Sequence, residues 1–179
     1  MKRGTLAEPK QSQPMIRRID PMLPSDWPTV REIYLQGIAT REATFETEAP
    51  AWEAWDASHS PFARLVARQA ETLVGWAALS PVSARKAYAG VAEVSVYVAQ
   101  SQRGLGLGRQ LLEALVAESE ENGIWSLQAV MFPENVASVA LHRSCGFREV
   151  GRRQRIAKLG GVWRDTILLE RRSQQIGID

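Results

Sequence analysis

The sequence is poor in cysteine and in long apolar runs, and each scarcity excludes a class of protein. Its 179 residues include one cysteine, Cys145. No intrachain disulfide can therefore form, and no cluster of thiolates can hold a metal. No apolar run approaches the length of a membrane span, and the polar segment before Pro14 lacks the apolar stretch of a signal peptide. We expect a cytoplasmic protein that binds no metal and no membrane.

The sequence also lacks a large excess of positive or negative charge. The chain has 22 lysines and arginines against 20 aspartates and glutamates, a net charge of +2. Proteins that bind nucleic acid usually concentrate positive charge on one stripe or face. The densest basic segment, Arg152–Arg155, is more typical of the solvated end of a strand. We therefore expect no nucleic-acid partner.

The length and the apolar content of 45% fit one domain with a buried core. We expect a loose leader over 1–14, a single domain over 15–170 and a polar tail over 171–179. Within the domain, the periodicity of apolar residues predicts the order β-α-α-β-β-β-α-β-α-β-β. It also places Leu105 on the inner face of the third helix, which Asn122-Gly123 would end, and Val136 on the inner side of the fourth helix. That order is typical of a layered α/β domain with a mixed sheet.

A strand that ends in a glycine-rich turn is the most informative feature. The apolar run Glu93–Val98 is followed by Arg103-Gly-Leu-Gly-Leu-Gly108 and then by a long amphipathic helix. Such a junction gathers free backbone N–H groups at the positive end of a helix dipole. Glycine lets the backbone approach a ligand and adopt positive φ values. The pattern therefore predicts a site for phosphate.

Three other interpretations of these glycines are weaker. A dinucleotide fingerprint would need a third glycine at Arg109 and an acidic residue about 20 positions on, and Ile124–Gln128 supplies none. A Walker loop would end in Gly-Lys-Ser or Gly-Lys-Thr, which Gly108-Arg-Gln does not match. A tight turn without a ligand remains open. The flanking Arg103 and Arg109 favour an anion site.

The segment Arg103–Gly108 resembles the Arg/Gln-x-x-Gly-x-Gly/Ala pyrophosphate loop of the GNAT superfamily of acyl-CoA-dependent N-acetyltransferases. Further on, Asn135–Ser138, Leu141-His142 and Gly146-Phe147 follow in the order of that superfamily's next helix and strand. Four further segments are similar to the phosphinothricin N-acetyltransferase group, whose relatives acetylate methionine sulfoximine and methionine sulfone. These segments are Thr44–Glu48, Arg85–Tyr88, Ala92–Val98 and Gly161–Asp165.

The resemblance covers Ile16 to Glu170 and implies a fold and a reaction. The implied fold is that of GNAT acyl-CoA N-acyltransferases, with a mixed, mostly antiparallel central sheet flanked by helices. The implied reaction moves acetyl from acetyl-CoA to the primary amine of a small amino acid or analogue, by direct attack in a ternary complex. The resemblance also implies a homodimer. A different amine, or an acyl-CoA-binding module without catalysis, are the alternatives.

The resemblance also implies which residues bind the co-substrate. The end of the strand, at Val96, Tyr97 and Val98, would splay from its neighbour and pair with the pantetheine arm. Asn135 and Ser144 would contact the arm as well, although an N-cap of its own helix suits Asn135 equally. The pyrophosphate would lie on the glycine loop, which comprises Arg103, Gly104, Leu105, Gly106, Leu107, Gly108 and Arg109.

Two residues are candidates for proton transfer. Glu93 is a carboxylate in an apolar strand, where burial would raise its pKa and suit it to act as a base. The alternative is a glutamate that faces solvent or pairs with a structural arginine. His142, one of two histidines, is either a hydrogen-bonded core residue or, as the resemblance implies, a general acid or proton relay. His59 lies in a polar segment and looks incidental.

Candidates for the amine pocket follow from the same resemblance. Arg85 could clamp a carboxylate through a bidentate pair, or could be an ordinary surface arginine. Ser95 shares strand parity with Glu93 and would face the substrate. Further wall residues would be Phe45, Glu46 and Tyr88, with Lys158 and Trp163 closing the pocket, from the same chain or from a second subunit.

Overall fold

The computed structural model describes residues 17–178, so the predicted leader over 1–14 lies outside the described residues. One sheet of seven strands carries helices on both faces, and the order of helices and strands is the predicted one. The helices are α1 (Trp27–Ala39), α2 (Trp52–Ser58), α3 (Leu107–Glu121) and α4 (Val136–Ser144). The strands are β1 (Arg17–Pro21), β2 (Leu65–Gln69), β3 (Thr72–Pro81), β4 (Val91–Val98), β5 (Ser126–Met131), β6 (Arg148–Leu159) and β7 (Val162–Arg172).

The sheet opens between its two central strands. The strand order is β1-β2-β3-β4-β5-β7-β6, and the pair β4/β5 is parallel while the other pairs are antiparallel. This confirms the mixed, mostly antiparallel sheet. β4 and β5 pair only from Val91 to Glu93. Beyond Glu93 each strand stays paired with its outer neighbour, so the two strands diverge and leave a gap.

The two faces of the sheet have separate apolar cores. One core packs α3 against the sheet through Leu111, Leu112 and Leu115. The other packs α1 and α2 through tryptophans, among them Trp55 and Trp76, each 1% exposed. Full burial of a side chain of this size stabilises the fold by about 1.5–3 kcal/mol. Because strand residues alternate between faces, β4 presents its odd-numbered residues to the α1/α2 side.

The ends of α3 follow from its glycines. The helix begins at Leu107, and the side chain of Leu105, predicted to lie on the inner face, is 53% exposed. That prediction was wrong because Gly106, with φ of 79°, turns the chain before the helix starts. The predicted stop at Asn122-Gly123 is confirmed, with Gly123 also at φ of 79°.

Two other predicted boundaries differ from the structure. Val136, expected on the inner side of α4, is 72% exposed, and His142 is the buried residue of that helix. β7 continues to Arg172, past the predicted start of the tail, because Arg171 and Arg172 pair with Leu127 and Ser126 of β5. No helix among residues 17–178 is long and apolar enough to cross a membrane.

Candidate active site

A cavity of about 1180 Å³ lies where β4 and β5 diverge. Its lining comes from both faces of the sheet, so the cavity passes through the gap between the strands. On one face, the α2 limb is lined by Trp55, His59, Ser80, Glu93 and Ser95. On the other, the α4 limb is lined by Val98, Gly104, Gly108, Asn135 and Leu141. Two ligands could therefore approach each other from opposite faces of the sheet.

The glycine loop, Arg103–Arg109, forms one end of the α4 limb. Gly104 and Gly106 have φ values of 75° and 79°, and a Cβ at either position would meet nothing within 4 Å. Glycine is needed there for the left-handed backbone rather than for space. A Cβ on Gly108 would lie 3.1 Å from Leu141, so this glycine lets α3 approach α4. The first N–H groups of α3 have no partner within the helix and remain available to an anion.

The side chains of the loop divide into those that line the cavity and those that do not. Arg103 and Arg109 line it. Nε of Arg103 donates to the Val98 carbonyl oxygen at 3.3 Å, and Nε of Arg109 donates to the Glu113 carboxylate at 2.7 Å. Leu107 is buried in the α3 core, and the side chain of Leu105 points to solvent. The predicted contribution of these two leucines is therefore limited to their backbone.

The end of β4 splays from β5, as the resemblance implied. Val96, Tyr97 and Val98 line the cavity and belong to the part of β4 that β5 does not pair. In a strand paired on one side, alternate backbone N–H and C=O groups face the open side and need partners. An extended, amide-containing ligand could satisfy them as an added strand would.

Asn135 caps its own helix, as one of its two predictions had it, and lines the cavity, whereas Ser144 is not among the lining residues. Asn135 caps α4, since its Oδ1 accepts a hydrogen bond from the Ser138 N–H at 3.1 Å, and it also lines the cavity. Its Nδ2 donates to the Glu42 carbonyl at 3.1 Å and so ties the loop after α1 to α4. Ser144 is exposed, and its Oγ donates to the Leu141 carbonyl.

Glu93 occupies the last position at which β4 and β5 pair. Its register partners are Ser80 on β3 and Gln128 on β5. Among the described residues, no hydrogen bond or ion pair to its carboxylate is found, so the alternative of a structural arginine partner is not supported. Burial raises the pKa of Glu93, and the charge of Arg153 opposes that rise. The carboxyl group is thus poised to accept a proton nearer neutrality than an exposed glutamate.

His142 is 5% exposed and lines the cavity from α4. Its Nδ1 lies 2.8 Å from the Ser138 carbonyl oxygen, which can only accept, so Nδ1 carries the proton and Nε2 is an acceptor. Burial lowers the pKa of this imidazole, so the neutral form prevails at pH 7. Of the two predicted roles, this geometry fits a proton relay better than a general acid, which would need a second proton on the ring.

The predicted pocket residues separate in the structure. Phe45, Glu46 and Ser95 line the cavity. Tyr88 ends a short 3-10 turn (Lys86–Tyr88), and Arg85 directly precedes it. Both side chains are exposed and lie outside the lining. The loop that carries them is held elsewhere because Gly90 packs against Trp125, whose ring a Cβ would meet at 2.1 Å.

The terminal hairpin also stays outside the cavity of this single chain. Lys158 places its Nζ 4.8 Å from the Trp163 ring centroid, a cation–π contact. Trp163 is 54% exposed. Neither side chain lines the cavity, so the predicted closure of the pocket would need a second subunit or a movement of the hairpin.

Sequence reasoning missed His59, which lines the α2 limb and is not incidental. Its ring stacks on Trp55, with centroids 4.1 Å apart and planes 19° apart. The spacing of i and i+4 on a helix was the available signal. No group of three His, Cys, Asp or Glu side chains within residues 17–178 is arranged to hold a metal ion.

Comparison with known proteins gives the family. The model of the acetyltransferase (GNAT) family matches residues 26–147, well over half of the chain. The chain belongs to this family. It is therefore an acetyl-CoA-dependent N-acetyltransferase with the GNAT fold.

Two relatives indicate the branch of the GNAT family. A phosphinothricin N-acetyltransferase of Alcaligenes faecalis is 34% identical over 156 residues, which are 82% of this chain and 77% of the relative. An L-methionine sulfoximine/L-methionine sulfone acetyltransferase of Pseudomonas aeruginosa is 32% identical over 134 residues, covering 74% and 73%. This GNAT enzyme is thus close to both groups.

Solved structures agree with the fold. A ribosomal-protein-alanine N-acetyltransferase from Brucella melitensis superposes with a TM-score of 0.80 at 30% identity, over 87% of this chain and 99% of that one. A phosphinothricin acetyltransferase from Sinorhizobium meliloti, solved in complex with acetyl-CoA, has a TM-score of 0.79 at 25% identity, over 91% and 96%. Acetyl-CoA is therefore bound by a structural relative of this enzyme.

Proposed function

We propose that this enzyme transfers acetyl from acetyl-CoA to the primary amine of a small amino acid or analogue, of the phosphinothricin, methionine sulfoximine or methionine sulfone type. One observation carries the proposal: a single cavity crosses the sheet, with a glycine loop at a helix N-terminus on one face and the carboxylate of Glu93 on the other. The identity of about 30% to enzymes for these substrates supports the substrate class.

The residues of the α4 limb fit acetyl-CoA. The N–H groups at the start of α3 would hold the pyrophosphate, with Arg103 and Arg109 adding positive charge. The open edge of β4 from Val96 to Val98 would pair with the amides of the pantetheine arm. When bound, acetyl-CoA supplies the thioester whose acyl group is transferred.

The chemistry requires a proton acceptor for the amine. Glu93 would take the proton from the substrate ammonium, directly or through water, because its raised pKa brings it closer to the pH at which transfer occurs. His142, with Nε2 as an acceptor, would relay a proton in the same cavity. Direct attack in a ternary complex fits because Cys145 lies outside the cavity lining, and burial raises the pKa of its thiol.

A second candidate is an amine without an α-carboxylate, such as a polyamine, an aminoglycoside or a protein N-terminus. Within the described chain, Arg103 and Arg109 are the only lysine or arginine side chains that line the cavity, and both belong to the glycine loop. The expected carboxylate clamp, Arg85, is not there. The other charged side chains of the lining are all acidic, namely Glu42, Glu46, Glu48 and Glu93.

A thiol-release assay decides between these substrates. We expect CoA release with phosphinothricin, methionine sulfoximine or methionine sulfone, and none with the same compounds blocked at the α-amine. Faster release with polyamines or aminoglycosides would favour the second candidate. Calorimetric binding of acetyl-CoA without release in the presence of any amine would contradict catalysis and would favour an acyl-CoA-binding module.

A further inference from the structure

His59 lies across β3 from Glu93. The next residue, Ser60, donates its N–H to the Leu79 carbonyl at 2.8 Å, so this segment runs beside β3 beyond the start of β2. Ser80, which follows Leu79, is the register partner of Glu93. The backbone at Ser60 and that at Glu93 are therefore two strand spacings apart, about 10 Å. His59, Ser80 and Glu93 all line the α2 limb of the cavity.

The imidazole of His59 is held in a fixed orientation. Its Nδ1 is 2.7 Å from the Trp55 carbonyl oxygen, and its ring stacks on the Trp55 indole. A carbonyl oxygen can only accept, so Nδ1 carries the proton and the lone pair is on Nε2. The contacts to the ring, including the Ser58 hydroxyl at 3.0 Å, all involve Nδ1 or the ring face. Within the described part of the chain, Nε2 is thus left for a ligand.

Burial keeps this ring neutral. It lowers the pKa of His59, and the positive charge of Arg64 adds to that effect, while the hydrogen bond to the Trp55 carbonyl and the charge of Asp56 oppose it. Arg64 is itself committed to Asp56 and to the carbonyls of Ser60 and His59. The acidic side chains that line the same cavity are Glu42, Glu46, Glu48 and Glu93. A neutral imidazole with a free Nε2 is a hydrogen-bond acceptor at pH 7.

We propose that Nε2 of His59, on the wall opposite Glu93, accepts a hydrogen bond from the substrate amine. This bond helps to aim the lone pair of the amine nitrogen at the thioester. This role rests on the proposed function. The amine that attacks has two N–H bonds and one lone pair. If Nε2 of His59 accepts from one N–H bond and the unprotonated oxygen of the Glu93 carboxyl group accepts from the other, the lone pair is left to point toward the gap between β4 and β5.

The protons balance in this arrangement. The substrate ammonium gives one proton to Glu93 before attack. The nitrogen–carbon bond then forms while the carbon–sulfur bond breaks, and the second proton passes from the nitrogen to the departing thiolate, directly or through water, to give the free thiol of CoA. The third proton stays on the amide nitrogen of the product, where His59 continues to accept its hydrogen bond. His59 therefore orients the amine and undergoes no net change of protonation.

Two substitutions at this position separate recognition from packing. In His59→Asn the side-chain amide can still donate to the Trp55 carbonyl, but nothing replaces Nε2. In His59→Gln the longer side chain can place its carbonyl oxygen near the position of Nε2. We expect kcat/KM for the best amine to fall about tenfold in H59N, the loss of one hydrogen bond. H59Q should recover part of this loss, and calorimetric binding of acetyl-CoA should be unchanged in both variants.

Other outcomes would overturn the proposal. An H59N enzyme as efficient as the wild type would remove His59 from amine recognition and leave the proposed function intact. Equal losses in both variants, together with a lower melting temperature or weaker acetyl-CoA binding, would give His59 a purely structural role. A wild type that acetylates no amine in the panel would overturn the proposed function and this inference together.

Discussion

At the scale of single residues, Glu93 is the group whose removal should separate catalysis from binding. In Glu93→Gln the side chain keeps its shape and loses its ability to take a proton, so we expect kcat to fall about a hundredfold or more. Acetyl-CoA should still bind, since the residues that fit it lie on the α4 limb. The matched control is Glu121→Gln, on the exposed end of α3, which should keep full activity.

The same substitution should change how stability depends on pH. The pKa of Glu93 is raised in the folded enzyme, so between its unfolded and folded values the folded chain holds a proton that the unfolded chain has lost. Stability contributed by this group is therefore lost as pH rises through that window. The E93Q variant should melt higher than the wild type above the window and equally below about pH 4. An identical melting difference at every pH would contradict a desolvated carboxylate.

At this scale, sequence patterns predicted what depends on near neighbours in the chain. Burial raises the pKa of Glu93, as expected for a carboxylate in an apolar strand, and Asn135 caps the helix that it precedes. His59 was missed because its importance comes from Leu79 and Glu93, which are distant in the chain and adjacent only across the sheet. Arg85 was placed in the pocket by resemblance, whereas the structure holds its loop against Trp125.

At the scale of elements, α3 allows a test of the glycine loop with an internal control. Gly106 and Gly123 flank the two ends of this helix, share φ of 79°, and have nothing within 4 Å of an added Cβ. Alanine at either position should therefore cost a similar amount, about 1–2 kcal/mol of unfolding free energy. Only Gly106→Ala should also weaken acetyl-CoA binding, by about tenfold, because it shifts N–H groups at the helix start.

Calorimetry and thermal melting measure the two effects separately. Equal loss of acetyl-CoA affinity in G106A and G123A would mean that general destabilisation, not the loop, governs binding. Unchanged affinity in both variants would place the pyrophosphate away from this loop. Either result would remove the observation that ties the α4 limb to the co-substrate.

The order of the elements could be predicted because periodicity and glycine signals are local. The inward faces were less predictable, as Leu105 and Val136 show. Both are apolar residues in an apparently helical pattern, yet one precedes the helix and the other lies on its solvent side. Which face of a short helix is buried depends on the neighbour that packs against it, and periodicity does not name that neighbour.

At the scale of the whole molecule, the feature that creates the site is the gap between β4 and β5, and no local pattern contains it. It arises because the pairing of β4 with β5 ends at Glu93. Beyond that residue β4 stays paired with β3, and β5 stays paired with β7. Strand pairing of this kind joins residues far apart in sequence. The splayed strand was therefore expected only from resemblance to the GNAT superfamily, and the register now supplies its physical basis.

The homodimer and the cytoplasmic location stay predictions, and the surface offers a way to test the first. Several large apolar side chains of β6 and β7 are exposed, including Ile156 at 49%, Val162 at 62% and Trp163 at 54%. Isolated apolar residues are common on surfaces, whereas a group on one hairpin is typical of a contact with another chain. If that contact joins two subunits, Lys158 and Trp163 would lie at the interface.

We expect the wild type to sediment as a dimer at micromolar concentration and Val162→Asp to shift it toward monomer, because an unpaired charge is costly in an apolar interface. The control is Leu23→Asp. Leu23 is 55% exposed and lies away from the hairpin, so this variant should remain a dimer. A parallel activity measurement shows whether the partner completes the pocket. A wild type that sediments as a monomer, or a V162D variant that stays dimeric, would contradict an interface on β6 and β7.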